Sequence, residues 1–320
     1  MTEAASPTEP LAEDAATDAA AELRPLSLHV EIRRVAVLVN GLSGSVGPRA
    51  AAEVERILAD YPLEGQVIAL EDGDFDGQIS DALDARPDVL FVLAGDGTAR
   101  SVASRAGPQG PLIAPLPGGT MNMLPKALYG TADWKAALRK ALEEGAPQHV
   151  AGGEVQGQAF YCAAILGTPA LWAPAREAIR TGKLSKAWSH ARRALKRAFT
   201  GRLRYQLDGG RLGKTEALVL ISPMISRALD EPIGLEAAAM DPHDTGQAFR
   251  LAATALFSDW RSDASVTTRP ARRIEVRSRS RIPAVIDGEP VQLPPEAVVR
   301  FLPKAFRALA PLPPAAEDSV

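Results

Sequence analysis

Two apolar segments that each end in a glycine-rich turn constrain the fold of this chain more than any other feature. The segment Val89–Leu93 runs into Ala94-Gly-Asp-Gly-Thr98, and Pro111–Pro115 runs into Pro117-Gly-Gly-Thr-Met-Asn122. Short apolar runs of this kind are typical of strands buried in a parallel sheet. Glycine lets an anion approach the backbone, and the free N–H groups at the start of a following helix attract it. The pattern therefore predicts two neighbouring phosphate-binding turns.

A third glycine-rich turn follows the first predicted strand, Val35–Val39. Its sequence is Asn40-Gly-Leu-Ser-Gly-Ser-Val-Gly47, and Pro48 suits the first turn of the next helix. A turn of this kind often serves only the close packing of a helix on a strand. Because this one belongs to the same predicted sheet as the other two, contact with a nucleotide is favoured.

Strands and helices alternate through the first half of the chain, which predicts right-handed βαβ units in a doubly wound sheet. The fold should start near Arg33, and the helix after Pro48 should run to about Asp60. A strand at Gln66–Leu70 precedes a helix that ends before Pro87. Further helices are predicted at Thr98–Ala106, from about Met121 to Gly130 and at Ala132–Glu144. Ligands of such sheets bind beyond the carboxyl ends of the strands, where all three glycine turns lie.

The second half of the chain has short apolar runs bounded by Gly, Asp and Pro, which predict a mainly antiparallel β domain. One turn, Pro283-Ala-Val-Ile-Asp-Gly-Glu-Pro290, places two acids around a glycine, and Asp-Gly is a common hairpin signal. We predict an acidic disordered tail at 1–30, an α/β domain at 31–147, a β-rich domain at 148–310 and a disordered end at 311–320. The predicted strands of the second domain are His149–Val155, Ala159–Leu166, Leu203–Leu207, Glu216–Ser222, Arg273–Arg277 and Ala297–Leu302.

Composition excludes several classes of protein. The 320 residues are 46% hydrophobic with a net charge of −3, which suits a globular chain and gives no sign of nucleic-acid binding. A single cysteine, Cys162, excludes an internal disulfide and a cysteine-based zinc cluster, and the four histidines lack ligand spacing. Because no secretion signal or membrane-spanning run is evident, we expect a cytoplasmic protein.

A basic segment at 183–204 has the pattern of an amphipathic helix. Its lysines and arginines follow one another without an intervening acid, while Leu184, Trp188, Leu195 and Phe199 recur at helical spacing. Two interpretations remain open. The apolar stripe packs on the protein with the arginines in water, or the helix lies on an anionic membrane surface at the inner face of the membrane.

The turns together resemble the diacylglycerol kinase catalytic domain family, which includes bacterial lipid kinases, sphingosine kinases and, more distantly, NAD kinases. The family pattern Gly-Gly-Asp-Gly-Thr occurs with Ala94 in the first place, and Gly-Thr-x-Asn-Asp occurs at Gly119–Asn122 with Met123 in the acidic place. Asn-Pro-x-Ser-Gly occurs with Gly41 replacing proline, and the family's late Asp-Gly-Glu matches Asp287–Glu289.

The resemblance implies an N-terminal NAD kinase/diacylglycerol kinase-like α/β domain, a C-terminal β-sandwich and an active cleft between them. It implies ATP and Mg²⁺ as cofactors and transfer of the γ-phosphate to a lipid hydroxyl, most readily that of diacylglycerol. Asp287 or Glu289 would take the proton from that hydroxyl, and Asp96 would hold a turn, orient a donor or act through Mg²⁺. The residues expected at the nucleotide are Asn40, Ser43, Gly44, Gly95, Asp96, Gly97, Thr98, Arg100, Gly119, Thr120 and Asn122.

Departures from the family pattern leave alternatives open. Arg100 and Ser101 stand where the family commonly has Asn-Glu, so Arg100 either grips phosphate or is a solvated surface arginine. The departures also suit a relative that binds a nucleotide or a lipid without catalysis. An NAD kinase shares the Gly-Asp-Gly-Thr turn, but its Asn-x-Gly-x-x-Gly stretch is missing downstream. The family resemblance is also compatible with a homodimer.

Overall fold

The computed structural model describes residues 32–70, 74–167, 202–226, 233–240 and 266–312. The predicted tails, except residues 311 and 312, and most of the basic segment 183–204 lie outside these ranges. No helix in the described ranges is long and apolar enough to span a membrane.

Among the residues that the structure describes, four parallel strands form the first part of a ten-stranded sheet. Their order is β2-β1-β3-β4, and every residue of β3 and β4 is buried. This burial on both faces explains why the two strands read as continuous apolar runs. The strands are β1 (Arg34–Val39), β2 (Glu64–Ala69), β3 (Val89–Ala94) and β4 (Leu112–Pro117).

Within the described ranges, five helices cover this part of the sheet. Lys135 pairs with Glu53 at 2.6 Å and so joins the fifth helix to the first, while Arg105 pairs with Asp76 and joins the third to the second. These two pairs fit the two helix layers of a doubly wound sheet, as predicted. The helices are α1 (Ala50–Leu58), α2 (Phe75–Asp84), α3 (Asp96–Ala106), α4 (Met123–Tyr129) and α5 (Trp134–Glu144).

The rest of the chain is antiparallel and confirms the predicted β-sandwich. A six-stranded sheet in the order β12-β11-β10-β7-β14-β15 shares a second apolar core with the continuation of the first sheet, β16-β13-β8-β9 with β5 and β6. The strands are β5 (Gly145–Val155), β6 (Gln158–Phe160), β7 (Ala163–Gly167), β8 (Leu203–Leu207), β9 (Gly213–Thr215), β10 (Ala217–Ile221), β11 (Leu235–Met240), β12 (Val266–Ala271), β13 (Arg273–Arg277), β14 (Ile282–Ile286), β15 (Glu289–Leu293) and β16 (Glu296–Pro311).

One long strand, β16, joins the two parts of the molecule. Its beginning pairs with β13 in the β-rich part, and near its end Ala308 lies opposite Ile113 of β4. Ala305, Phe306 and the residues 308–310 accordingly pack in the first core. The sheet is therefore continuous, and the predicted boundary at 147/148 falls inside β5.

Two strand predictions need correction. The run Ala159–Leu166 is broken into β6 and β7 because the N–H groups of Tyr161 and Cys162 leave the sheet and donate to Asp287. The final strand does not end at Leu302 but continues to Pro311, because an irregularity in its pairing with β5 after Leu302 lets it turn toward β4.

Candidate functional site

The three glycine turns meet at the carboxyl end of the parallel strands. The chain passes outward from β1 to β2 and then returns to β3 on the other side of β1. The sheet thus reverses its direction of winding between β1 and β3, and a crevice opens at this position in sheets of this class. The turn after β1 and the turn after β3 flank the crevice, and β4 lies next to β3.

Close backbone contacts hold these turns together. A side chain at Gly118 would place its Cβ 2.6 Å from the carbonyl oxygen of Ala94, and one at Gly44 would lie 3.1 Å from the oxygen of Gly119. The hydroxyl of Ser43 lies 3.6 Å from the position that a Cβ on Gly95 would take. The approach at Gly118 requires a residue without a side chain and that at Gly44 favours one, whereas a Cβ at Gly95 would make an ordinary van der Waals contact.

Asp96 and Asn122 shape the turn that follows β4. Oδ2 of Asp96 accepts weak hydrogen bonds from the N–H groups of Met121, at 3.4 Å, and Asn122, at 3.3 Å. The Asn122 side chain closes a ring on Gly119, accepting from its N–H at 2.7 Å and donating to its carbonyl at 3.0 Å. Asn122 is also in the left-handed region, with φ of 50°, which asparagine tolerates well. These contacts explain the residue types found at both positions.

The start of α3 fits an anion. Gly95 precedes the helix and has no side chain to cap its first N–H groups. Asp96, Gly97 and Thr98 are only part-buried, so a ligand can reach this first turn. Free N–H groups at the positive end of a helix of 11 residues are an arrangement that suits phosphate binding.

The hairpin between β14 and β15 brings the late acids to this edge, but the two acids have different surroundings. Asp287 is in the left-handed region with φ of 46°, and its carboxylate gathers three backbone N–H groups. Oδ2 accepts from Tyr161 at 2.8 Å, and Oδ1 accepts from Cys162 and Ala163, each at 2.9 Å. These bonds fix the turn to the strand beside it.

Burial is the main influence on the pKa values of the ionisable groups near this hairpin. Burial raises the pKa of Asp287, while the three N–H groups and then the Arg100 charge act in the opposite direction. Burial also raises the pKa of the Tyr161 hydroxyl and of the Cys162 thiol, and the charge of Asp287 acts in the same direction on both. Neither group is therefore suited to serve as an ionised nucleophile.

Glu289 is the first residue of β15, after the turn that contains Asp287, and it faces the first turn of α3. Its Oε1 lies 2.6 Å from the position of a Cβ on Gly97, and its Oε2 accepts a hydrogen bond from Nη2 of Arg100. Nη1 of the same arginine donates to the carbonyl of Ile286 at 3.1 Å. The Glu289 side chain is 51% exposed, so it remains accessible to a ligand.

All of the residues predicted for the site lie within the described part of the chain, and contacts link most of them at this edge. The sequence did not predict the N–H groups of Tyr161, Cys162 and Ala163 as partners of Asp287, because backbone donors leave no mark on residue type. The pairing of Arg100 with Glu289 joins residues 189 positions apart, and only the departure from the family pattern at Arg100 hinted at it.

The site offers few protein ligands for a metal. In the described ranges, no group of three or more His, Cys, Asp or Glu residues could hold an ion. Asp96 accepts its two backbone bonds through Oδ2, and within these ranges its Oδ1 forms no hydrogen bond. This donor set fits Mg²⁺ carried in with substrate phosphates, since that ion keeps water ligands and needs only one or two carboxylates.

Comparison with known proteins confirms the resemblance. Residues 34–155 match the model of the diacylglycerol kinase catalytic domain. A diacylglycerol kinase from Bacillus anthracis strain Sterne aligns with 20% identity over 90% of this chain and all of that chain, with a TM-score of 0.68. Another structure from the same strain aligns with 19% identity over 90% of this chain and all of that one, with a TM-score of 0.67. Among curated proteins, no sequence matches this chain.

Proposed function

Because residues 34–155 match the diacylglycerol kinase catalytic domain, we propose that this chain is an ATP-dependent lipid kinase that phosphorylates a lipid hydroxyl, with diacylglycerol as the expected acceptor. One observation carries the proposal. The carboxylate of Glu289 lies against Gly97, in the first turn of α3, so a candidate base and a phosphate-type turn are adjacent. Phosphoryl transfer to a hydroxyl needs both groups next to each other.

The nucleotide phosphates would bind to the free N–H groups at Gly97 and Thr98 and to the turn at Gly119 and Thr120. Ser43 and Gly44 would border the same crevice from the turn after β1. Asp96 would hold Mg²⁺ beside the phosphates, and the ion would supply positive charge that offsets theirs. Fixed backbone donors need no reorganisation as charge develops, which is why such a site favours transfer.

Of the two late acids, the geometry favours Glu289 as the base. Both oxygens of Asp287 already accept backbone N–H groups, whereas Glu289 is half-exposed beside the phosphate turn. Glu289 would take the proton as the lipid oxygen bonds to the γ-phosphorus. The bond from that phosphorus to the bridging oxygen then breaks, and ADP leaves. Asp287 would keep the hairpin in place.

The test is transfer of labelled γ-phosphate from ATP, with Mg²⁺, to lipids in mixed micelles, with NAD as a parallel acceptor. We expect label on one lipid, and a loss of about 10²- to 10⁴-fold in Glu289→Gln, the range for removal of a general base. Glu275→Gln is the matched control, because Glu275 lies on β13 and pairs with Arg273 at 3.1 Å, away from the hairpin. That variant should keep full activity.

Each other outcome has a distinct meaning. Label on NAD alone would assign the chain to a soluble kinase. ATP binding without label on any acceptor would mean a relative that has lost catalysis, and full activity of Glu289→Gln would exclude Glu289 as the base. A location at a membrane surface remains a prediction based on the basic segment 183–204, and binding to anionic vesicles tests it.

A further inference from the structure

Arg100 is the side chain through which α3 binds the hairpin between β14 and β15. Nη1 donates to the carbonyl of Ile286 at 3.1 Å, and Nη2 donates to Oε2 of Glu289. The Arg100 side chain is only 20% exposed. The guanidinium therefore holds the hairpin at two points, one on each side of Asp287 and Gly288.

The shape of the guanidinium suits this contact. Its N–H groups form a rigid planar fork, so two donors on one side chain fix both the distance and the angle between α3 and the hairpin. A lysine in this position carries the same charge but cannot reproduce the two-point geometry.

Glu289 needs such a partner because the turn itself does not hold its side chain. The three N–H groups fasten Asp287, but Gly288 follows with φ of 88° and no side chain, and Glu289 comes after it. A half-exposed glutamate without a partner would sample several rotamers. With Oε2 on Arg100, its other oxygen lies against Gly97.

We infer that Arg100 is a positioning residue that acts through Glu289 and sets the place of this carboxylate beside the phosphate turn. This inference rests on the proposed function, and it differs from direct contact between Arg100 and the nucleotide. An arginine that acts through the base affects the transfer step. An arginine that binds phosphate affects the affinity for ATP as well.

The experiment measures kcat and the KM for ATP in Arg100→Gln and Arg100→Lys with the labelled-phosphate assay. We expect kcat to fall by about tenfold or more in Arg100→Gln, because a displaced catalytic group costs this much, while the KM for ATP stays unchanged. Arg100→Lys should recover part of kcat through its charge. Arg105→Gln is the matched control on the same helix, since Arg105 pairs with Asp76 and should leave both constants unchanged.

A second variant separates the two roles of Arg100. In a Glu289→Gln background, the added change Arg100→Gln should not reduce the residual transfer further, because both changes remove the same function. A further loss together with a higher KM for ATP would overturn the inference in favour of phosphate binding. Wild-type kcat in Arg100→Gln would overturn it in favour of a solvated arginine.

Hydrogen exchange gives a readout that does not depend on activity. Amides of the hairpin at 286–290 should exchange faster in Arg100→Gln than in wild type, and Arg105→Gln should leave them unchanged. Unchanged exchange in Arg100→Gln would overturn the positioning role. Absence of phosphate transfer by the wild-type chain would instead contradict the proposed function, so the two failures are distinguishable.

Discussion

Two aspartates in different regions accept hydrogen bonds from backbone N–H groups, yet their pKa values are shifted in opposite directions. At the amino end of the sheet, Oδ2 of Asp88 accepts from the N–H groups of Arg33 at 2.9 Å and Arg34 at 2.8 Å. At the hairpin, Asp287 accepts from three N–H groups at similar distances. The pKa of Asp88 is lowered, because the hydrogen bond from the N–H group of Arg34 outweighs the opposing effect of burial. The pKa of Asp287 is raised, because burial outweighs its hydrogen bonds.

The difference shows that hydrogen bonds alone do not set the state of a carboxyl group. Asp88 is half-buried and lies near the charges of Arg34 and Arg33, so the bonds and charges that favour its ionised form prevail. Asp287 is also half-buried, but the loss of water around its carboxylate outweighs its three bonds. Asp287 thus holds the hairpin although burial disfavours its ionised form. Unfavourable local features of this kind are common at functional sites, where the surrounding structure maintains them.

The largest expected effect comes from truncating the two aspartates. Asp287→Ala leaves three N–H groups without an acceptor and places alanine at φ of 46°, so we expect a loss of about 3 to 5 kcal/mol in the free energy of unfolding. Asp88→Ala exposes its two donors to water and should cost only about 1 kcal/mol. Denaturant unfolding measures both, and equal losses would contradict the role of burial.

A second comparison uses pH and the variants Asp88→Asn and Asp287→Asn. The pKa of Asp88 is lowered by folding, so its contribution to stability is present above its unfolded value of about 3.9 and is lost as the pH falls through the folded pKa. The pKa of Asp287 is raised, so its contribution is present below about 3.9 and is lost as the pH rises through the folded value.

The difference in unfolding free energy between wild type and each variant should therefore change with pH in opposite directions. From about pH 3 to pH 5 it should grow for Asp88→Asn, while from about pH 4 upward it should shrink for Asp287→Asn. Denaturant titrations across this range measure both slopes. Slopes of the same sign would mean that both carboxylates are held mainly by their hydrogen bonds.

The smallest effect on folding should come from Gly97→Ala. The new Cβ would lie 2.6 Å from Oε1 of Glu289, the end of a flexible side chain that can move aside, and alanine favours a helix more than glycine does. Stability should therefore change by less than about 1 kcal/mol. The displaced carboxylate should still slow phosphate transfer by about tenfold, as the labelled-phosphate assay would show. Unaltered transfer would place the base elsewhere.

Much of the fold could be predicted because the signals are local. Val89–Leu93 read as a buried strand from its apolar run alone, and the glycines after it marked the turn that the structure confirms. The prediction ended β16 too early, because an irregular pairing that turns a strand toward β4 of the same sheet depends on its partners, and the sequence around Leu302 carries no sign of it.

The sequence by itself determined the three glycine turns, the alternation of strands and helices in the first half of the chain and the two acids around Gly288, since each follows from backbone conformation or residue type over a few positions. Only the tertiary structure decided that three backbone N–H groups hold Asp287 while Glu289 faces α3 and pairs with Arg100. The physical reason is that burial, charge and backbone donors act through space, and here they join residues more than a hundred positions apart.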